Sequence, residues 1–159
     1  MVIEQQHQQL IEQFYTAFQQ LDAEQMVSLY DDDVVFEDPA FGQLRGEEAK
    51  AMWRMLIERG QDSLKVDFYD VLGTPTGGTA TWEARYLYSK AKRPVHNIIQ
   101  AQFVITDGKI IKHTDQFRFW RWAAQALGPT ARVLGFTSYL RQQVRKGTRE
   151  ALDKYMAKG

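Results

Sequence analysis

The chain has 159 residues, of which 44% are hydrophobic and 25% charged, with 20 basic side chains balancing 20 acidic ones. This length and composition predict one globular domain, and the balanced charge excludes a strong positive field that would attract nucleic acid. The absence of cysteine excludes disulfides, thiol nucleophiles and cysteine-bound zinc. No apolar run approaches the ~20 residues of a membrane span, and the glutamine-rich start lacks a signal-peptide pattern, so we expect a cytoplasmic protein.

The first sixty residues predict three helices. Apolar residues recur at helical spacing from Leu10 to Leu21, and Asp22 is placed to cap a second helix whose apolar stripe ends at Tyr30. A third helix begins near Glu47 and buries Trp53 on its apolar side. The predicted N-terminal part is therefore a helical hairpin followed by a separate helix.

The middle of the chain predicts strands. A short strand over residues 34–36 precedes the turn at Pro39, which places Asp38 at a strand end. From residue 62 apolar residues alternate with polar ones, which predicts four long antiparallel strands ending near residue 120. Asp107 and Gly108 form the dipeptide favoured in a tight type I′ hairpin. Helices followed by strands favour an α+β domain with helices on one face of a curved sheet.

The last part of the chain differs in charge from the rest. Residues 121–159 carry a net charge of +6, whereas residues 1–120 carry −6. Ser138 is placed to cap a final basic, amphipathic helix. Such a helix can lie on an anionic membrane or a partner, but we favour docking on the acidic body of the protein or across a dimer. We divide the chain into a domain over residues 1–120 and a helical extension over residues 121–159.

Several polar residues in the last two strands fall among large apolar ones. With Asp107 and Gly108 as the turn, Gln102 lies opposite His113 and Gln100 opposite Asp115, with His96 further along the same face. An apolar wall with a few convergent polar groups is typical of a small-molecule pocket, in which a carboxyl group can act as a general base. His113 and Asp115 share a face in any register, with side chains running roughly parallel rather than head to tail.

Other interpretations of these residues stay open. The polar groups can satisfy one another in the core or face solvent, and His96, His113 and Asp115 are types that ligate metals. A metal site is disfavoured because no compact pair of histidines exists. The sequence also lacks GxSxG, P-loop and GxGxxG motifs, so acyl-enzyme and nucleotide chemistry have no support and no cofactor is required.

Three segments together resemble a known family. They are LIEQFYTAFQQLD, then AEQMVSLYDDDVVFEDPAFGQLRGEEAKAMW, and VITDGKIIKHTDQF. Through them residues 5–120 resemble the nuclear transport factor two-like superfamily, and within it the SnoaL-like polyketide cyclases and the ketosteroid isomerases. The resemblance implies a cone-shaped fold, in which a strongly curved, mostly antiparallel sheet wraps around a helix-lined apolar cavity. It also implies a homodimer formed through the outer face of the sheet.

The resemblance assigns roles to individual residues. Asp38 matches the general base of the isomerases, although a turn-capping role is an equal alternative because aspartate is favoured before such turns. The oxyanion-binding tyrosine of the isomerases falls on Phe14, next to Tyr15. Their second acid falls near Ala101 or Gln100, so a ketosteroid isomerase is not expected. Asp115 matches the acid/base of the SnoaL-like cyclases, with His113 beside it in the cavity.

Together these arguments predict a cofactor-independent enzyme that moves a proton next to a carbonyl of a small apolar ligand, as an isomerase or an aldol-type cyclase. The alternative is a non-catalytic module of the same fold that binds a hydrophobic ligand or a protein partner. The predicted catalytic residues are Asp115, His113 and Asp38. The predicted ligand-binding residues are Phe14, Tyr15, Trp53, Trp82, Tyr86, His96, Gln100, Gln102 and Phe117.

Overall fold

The computed structural model describes residues 2–88, 91–128 and 138–158. The helices are α1 (Val2–Gln19), α2 (Ala23–Ser28), α3 (Glu47–Gly60), α4 (Phe119–Leu127) and α5 (Ser138–Lys158). The strands are β1 (Tyr30–Asp38), β2 (Gly42–Arg45), β3 (Lys65–Thr74), β4 (Gly77–Tyr88), β5 (Arg93–Thr106) and β6 (Lys109–Gln116).

The three predicted N-terminal helices are confirmed, and their ends follow from local chemistry. Asp22 caps α2, since its Oδ1 accepts a hydrogen bond from the backbone N–H of Gln25 at 3.1 Å. Glu47 and Glu48 lie in the first turn of α3, where carboxylates favour the positive end of the helix dipole. Tyr30 does not extend the stripe of α2 as predicted, because it is already the first residue of β1.

The six strands form one curled sheet in the order β2-β1-β6-β5-β4-β3. All neighbours are antiparallel except β1 and β6, which run parallel. The sequence predicted a shorter β1 and did not predict β2. Gly42 adopts a φ of 73°, and this left-handed conformation lets the chain fold back so that Asp38 pairs with Gly42. The last strand, β6, is shorter than predicted, because it ends at Gln116 and α4 follows it.

The turn between β5 and β6 is the predicted type I′ turn, since Asp107 and Gly108 both have positive φ, 51° and 76°. Ile105 pairs with Ile110 as a regular hairpin requires, but Val104 pairs with Lys112. Ile111 is therefore an extra residue, and this β-bulge shifts the register of the rest of the hairpin by one position.

The concave side of the sheet and the helices α1 and α3 enclose one core. Its largest fully buried side chains are aromatic, and they include Phe14, Tyr15, Phe18, Phe36 and Trp53. A second, smaller cluster surrounds Phe119 and Trp122 of α4. Such aromatic rings bury large areas, so the inside of the curved sheet is stabilised mainly by ring packing.

Helix α5 packs on this body with one side only. Leu152 is fully buried in the main core, and Thr148 Oγ1 donates to the carbonyl of Ala40 at 2.9 Å. The basic side chains point outward, where Arg149 pairs with Glu48 of α3. The apolar side of α5 is thus already occupied by the protein itself. Within the described ranges, no helix combines the length and apolar character needed to cross a membrane.

Candidate active site

The predicted catalytic carboxyl groups lie on neighbouring strands. In the parallel pairing of β1 with β6, Phe36 lies beside His113, and both side chains are buried on the concave face. Asp38 and Asp115 lie two residues further along, and side chains two apart share a face of a strand. The two carboxyl groups therefore meet at the same end of the sheet, although they are 77 positions apart in the chain.

Asp38 is held by the turn that follows it. Its Oδ1 accepts hydrogen bonds from the backbone N–H groups of Ala40 at 2.9 Å and Phe41 at 2.6 Å. These contacts are those of the turn-capping alternative. Burial raises the pKa of Asp38 to about 7, and the negative charge of Asp115 contributes to this rise. The two backbone hydrogen bonds and the positive charge of Arg145 act in the opposite direction and lower the pKa. Near neutral pH, Asp38 thus exists in both protonation states.

Asp115 and His113 form a direct pair. His113 Nε2 lies 2.8 Å from Asp115 Oδ1, so the two side chains meet head to tail, contrary to the predicted parallel arrangement. The rise along a strand separates the two Cα atoms by about 6.6 Å, a gap that the long imidazole side chain can bridge. Trp82 Nε1 also donates to Asp115 Oδ1, at 3.4 Å. Both contacts fall on Oδ1.

His113 is enclosed by aromatic rings and is 0% exposed. Its ring stacks on Phe103 with centroids 4.3 Å apart and lies nearly parallel to Trp53 at 6.0 Å. Its Nδ1 lies 2.7 Å from the hydroxyl of Tyr30, which in turn accepts a hydrogen bond from Trp53 Nε1 at 2.7 Å. Both nitrogens of His113 are therefore engaged, and neither faces an open site.

Tyr15 carries the one buried side-chain polar atom, among the described residues, that has no hydrogen-bond partner. Its ring packs on Phe68 and Trp82, with centroids 5.6 and 6.0 Å away. Burial raises the pKa of Tyr15 well above its usual value, and the nearby negative charge of Asp115 raises it further. An unpaired hydroxyl in an apolar core is unfavourable by about 1–3 kcal/mol unless another molecule supplies its partner.

Three predicted ligand-binding residues lie elsewhere. His96, Gln100 and Gln102 are on the outer, convex face of β5, where His96 contacts Glu83 at 2.5 Å and Gln100 accepts from Thr81 at 2.9 Å. The predicted partners were wrong because of the bulge at Ile111: His113 pairs with Phe103 and Asp115 with Ala101. One extra residue sends the alternate side chains of β5 to the opposite face.

The remaining predicted residues line or border the core. Phe14, Trp53 and Trp82 are buried around His113 and Asp115. Phe117 and Tyr86 are partly buried, and the Tyr86 hydroxyl accepts from Trp122 Nε1 at 2.8 Å. Tyr30 and Arg145 were not predicted to belong to the site. A residue in a helical stripe and a residue on a basic surface carry no sequence pattern that indicates such contacts.

Buried aromatic rings pack around His113 in the region that the sequence assigned to an apolar cavity. The protein forms a surface depression of about 530 Å³ and another of about 260 Å³. The first is bordered by Arg118, Trp120, Arg121, Ala124 and Gln125, and the second lies on the outer sheet face around Gln102 and Lys112. Neither of these two depressions is bordered by Asp38, His113 or Asp115.

Asp38 borders the surface at one end of the cone. It is only partly buried. The pKa of Tyr86 is raised to about 12, mainly by burial, and the nearby charge of Asp38 contributes to this rise. Helix α5 lies over the turn after Asp38, where Arg145 Nε donates to the carbonyl of Pro39 at 3.3 Å. In the described part of the chain, no group of three or more His, Asp and Glu side chains is placed to hold a metal ion.

Solved structures show the same fold. A proposed polyketide cyclase from Xanthomonas campestris pv. campestris superposes with a TM-score of 0.62 at 20% identity, covering 77% of this chain and 98% of the other. An epoxide hydrolase from M. tuberculosis, of the LEH-like type, gives 0.60 at 20% identity, with 82% and 97% covered. TerC, crystallised with polyporic acid, gives 0.65 at 14% identity, with 77% and 99% covered.

No curated protein matches the sequence. A sequence profile of the SnoaL-like domain matches residues 11–113, which include the second half of α1, the whole of α2, Asp38, the whole of β5 and His113 of β6, and end two residues before Asp115. This match covers more than half of the chain, and the fold agrees with the cone-shaped structures above. The chain therefore belongs to the SnoaL-like family, within the nuclear transport factor two-like superfamily.

Proposed function

We propose that the protein is a cofactor-independent enzyme that transfers a proton next to a carbonyl group of a small apolar ligand, as an isomerase or an aldol-type cyclase. The observation that carries this proposal is the unpaired Tyr15 hydroxyl, buried near the charge of Asp115. A ligand carbonyl oxygen is an acceptor that this hydroxyl lacks within the protein. The same carbonyl would bring its α-hydrogen into the neighbourhood of the carboxylate.

The two carboxyl groups suit opposite roles. Asp115 Oδ1 accepts from Trp82 Nε1 and lies 2.8 Å from His113 Nε2, which leaves Oδ2 to take a proton. Asp38, with a pKa of about 7, carries a proton in much of the population near neutral pH and can donate it. His113 has both nitrogens engaged, so its role is to hold Asp115 and not to contact the ligand.

The reaction step follows from these roles. Asp115 Oδ2 takes the α-hydrogen as a proton, the C–H electron pair forms the enolate double bond, and the carbonyl π pair moves onto oxygen. Tyr15 donates a hydrogen bond to that oxygen, which is worth most where charge develops in a dry site. In aldol closure the enolate carbon attacks a second carbonyl carbon of the ligand, the π pair of that carbonyl moves onto its oxygen, and Asp38 protonates the alkoxide. In isomerisation of an unsaturated ketone Asp38 instead protonates the γ-carbon of the dienolate. In both cases the pair on the enolate oxygen re-forms the first carbonyl, and the proton on Asp115 restores Asp38.

Deuterium exchange tests this proposal without knowledge of the substrate. A panel of small cyclic ketones and enones is incubated with the protein in D2O, and deuterium incorporation is followed by mass spectrometry. We expect incorporation with the wild type and a loss of about 10²–10⁴-fold in Asp115→Asn, the usual contribution of a general base. Glu37→Gln is the matched control, because it removes an exposed carboxylate next to Asp38. Equal rates in Asp115→Asn and the wild type would refute the assignment.

A non-catalytic module of the same fold is the second candidate, because aromatic side chains fill the interior around Asp115. Such a module would hold a ligand without converting it, or would act through its surface. Native mass spectrometry of the wild type and Asp115→Asn separates these cases. A co-purified apolar molecule enriched in the variant supports turnover, whereas equal retention in both supports ligand storage.

The same spectra report the subunit count. We propose a homodimer that forms through the outer face of the sheet, where Ile98 and Val104 of β5 are more than a third exposed. Apolar side chains at the centre of an exposed sheet face gain stability when a second copy covers them. A monomer at micromolar concentration would contradict this proposal.

A further inference from the structure

Four side chains form a continuous buried chain of hydrogen bonds across the core. Trp53 Nε1 lies 2.7 Å from Tyr30 Oη, Tyr30 Oη lies 2.7 Å from His113 Nδ1, and His113 Nε2 lies 2.8 Å from Asp115 Oδ1. All four residues are at most 3% exposed. Burial shields these groups from bulk solvent, so each of their N–H and O–H groups needs its acceptor within this row of four side chains.

The indole N–H of Trp53 determines the donor-to-acceptor direction of the hydrogen bonds in this row of side chains. An indole N–H can only donate, so Trp53 donates to the oxygen of Tyr30. The single hydrogen of the Tyr30 hydroxyl then has one acceptor among the described residues, His113 Nδ1. Nδ1 must therefore be the bare nitrogen, and the imidazole carries its hydrogen on Nε2, which donates to Asp115.

The other protonation states leave a group unpaired. A hydrogen on Nδ1 would point at Tyr30 Oη and leave the Tyr30 hydrogen without an acceptor in an apolar cage. A bare Nε2 would also face Asp115 Oδ1, placing two acceptors 2.8 Å apart. Stacking on Phe103 and the edge contacts of Phe14 and Phe36 hold the ring in place, so a ring flip cannot relieve either conflict.

We infer that Tyr30, backed by Trp53, is a positioning residue that holds His113 as the neutral Nε2–H tautomer and thereby fixes the Asp115 carboxylate. With Nε2–H and the Trp82 indole both donating to Oδ1, the carboxylate cannot rotate without losing a bond, and Oδ2 stays free. The tautomer is a property of the protein alone. Its consequence for the rate rests on the proposed function.

Long-range ¹H–¹⁵N spectra of protein labelled in histidine test the inference without a substrate. The chain has only three histidines, and His7→Gln and His96→Gln identify the remaining signals as those of His113. We expect one bare nitrogen, Nδ1, and one protonated nitrogen, Nε2, in the wild type. A protonated Nδ1 would overturn the inference before any variant at position 30 is made.

Tyr30→Phe then tests the cause. Removing the hydroxyl should move the Nδ1 signal, because the bare nitrogen loses its donor and other protonation states become populated. Tyr86→Phe is the matched control, since Tyr86 also accepts from an indole, that of Trp122, but does not contact His113. Unchanged His113 signals in folded Tyr30→Phe would overturn the inference.

The rate provides the last readout. On a ketone found in the exchange assay, Tyr30→Phe should lower kcat about 10–100-fold with little change in KM, the range seen when outer partners of metal-bound histidines are lost. A rise in KM at constant kcat would overturn the positioning role. If no ketone exchanges, the proposed function fails, whereas the tautomer stands or falls on the spectra.

Discussion

Asp38→Asn should make the protein more stable at alkaline pH while removing the proposed acid. Burial raises the pKa of Asp38 from 3.8 to about 7 in the folded protein. Between these values the folded state binds more protons than the unfolded state, so stability falls as the pH rises from about 4 to about 7. The asparagine amide cannot ionise, and its oxygen can still accept from Ala40 and Phe41.

The size of the effect follows from the two pKa values. A difference of about three corresponds to about 4 kcal/mol at 1.36 kcal/mol for each tenfold change. Asp38 is partly exposed, and solvent screening reduces this to about 2 kcal/mol. We therefore expect the difference in the free energy of unfolding, Asp38→Asn minus wild type, to be about 2 kcal/mol larger at about pH 8 than at about pH 4, so that the variant gains relative stability at the higher pH.

Urea denaturation at the two pH values measures this difference, provided that the slope with denaturant stays the same. Glu37→Gln is the control for the loss of one negative charge, because Glu37 is the exposed neighbour on the same strand. It should show little difference between the two pH values. If Asp38→Asn and the wild type lose stability in parallel as the pH rises, the pKa of Asp38 is not raised in the folded protein and the prediction is refuted.

Three further predictions concern other parts of the molecule. Tyr15→Phe removes the unpaired buried hydroxyl and should leave stability unchanged or raise it by about 1 kcal/mol in urea denaturation; a clear loss would show that the hydroxyl has a partner. Leu152→Ala should lower the free energy of unfolding by about 2–5 kcal/mol, because Leu152 is the fully buried side chain that anchors α5, whereas Met156→Ala on the exposed side should change it by less than about 0.5 kcal/mol. Arg145→Gln removes a nearby positive charge and should raise the pKa of Asp38 further above 7, as measured by ¹³C titration of its carboxyl group; an unchanged or lower pKa would contradict the contact.

Local sequence signals predicted the elements that depend on neighbouring residues. The Asp22 cap and the turn at Asp107 and Gly108 lie where their residue types placed them, and the structure has a final helix in the segment predicted for it. The choice between roles for Asp38 could not be made in the same way. A turn cap and an acid use the same carboxyl group, and the structure shows the two backbone hydrogen bonds together with a raised pKa.

The register between β5 and β6 could not be predicted from the sequence. Nothing in the residues around Ile111 marks it as the extra residue of a bulge, because a regular hairpin satisfies the same alternation of apolar and polar side chains. The bulge separates His96, Gln100 and Gln102 from His113 and Asp115. A pair two residues apart on one strand is independent of register, so the sequence could place His113 and Asp115 on one face.

The sequence by itself determined the α+β class, the cone-shaped fold through its family resemblance, and the shared face of His113 and Asp115, because these depend on periodicity and local chemistry. Only the tertiary structure decided that β1 lies parallel to β6, which brings Asp38 to Asp115, and that Tyr30 and Trp53 reach His113. It also decided that aromatic rings pack around His113 in the core. These features depend on contacts between segments distant in the chain, whose free energies depend on the shape of the packed core.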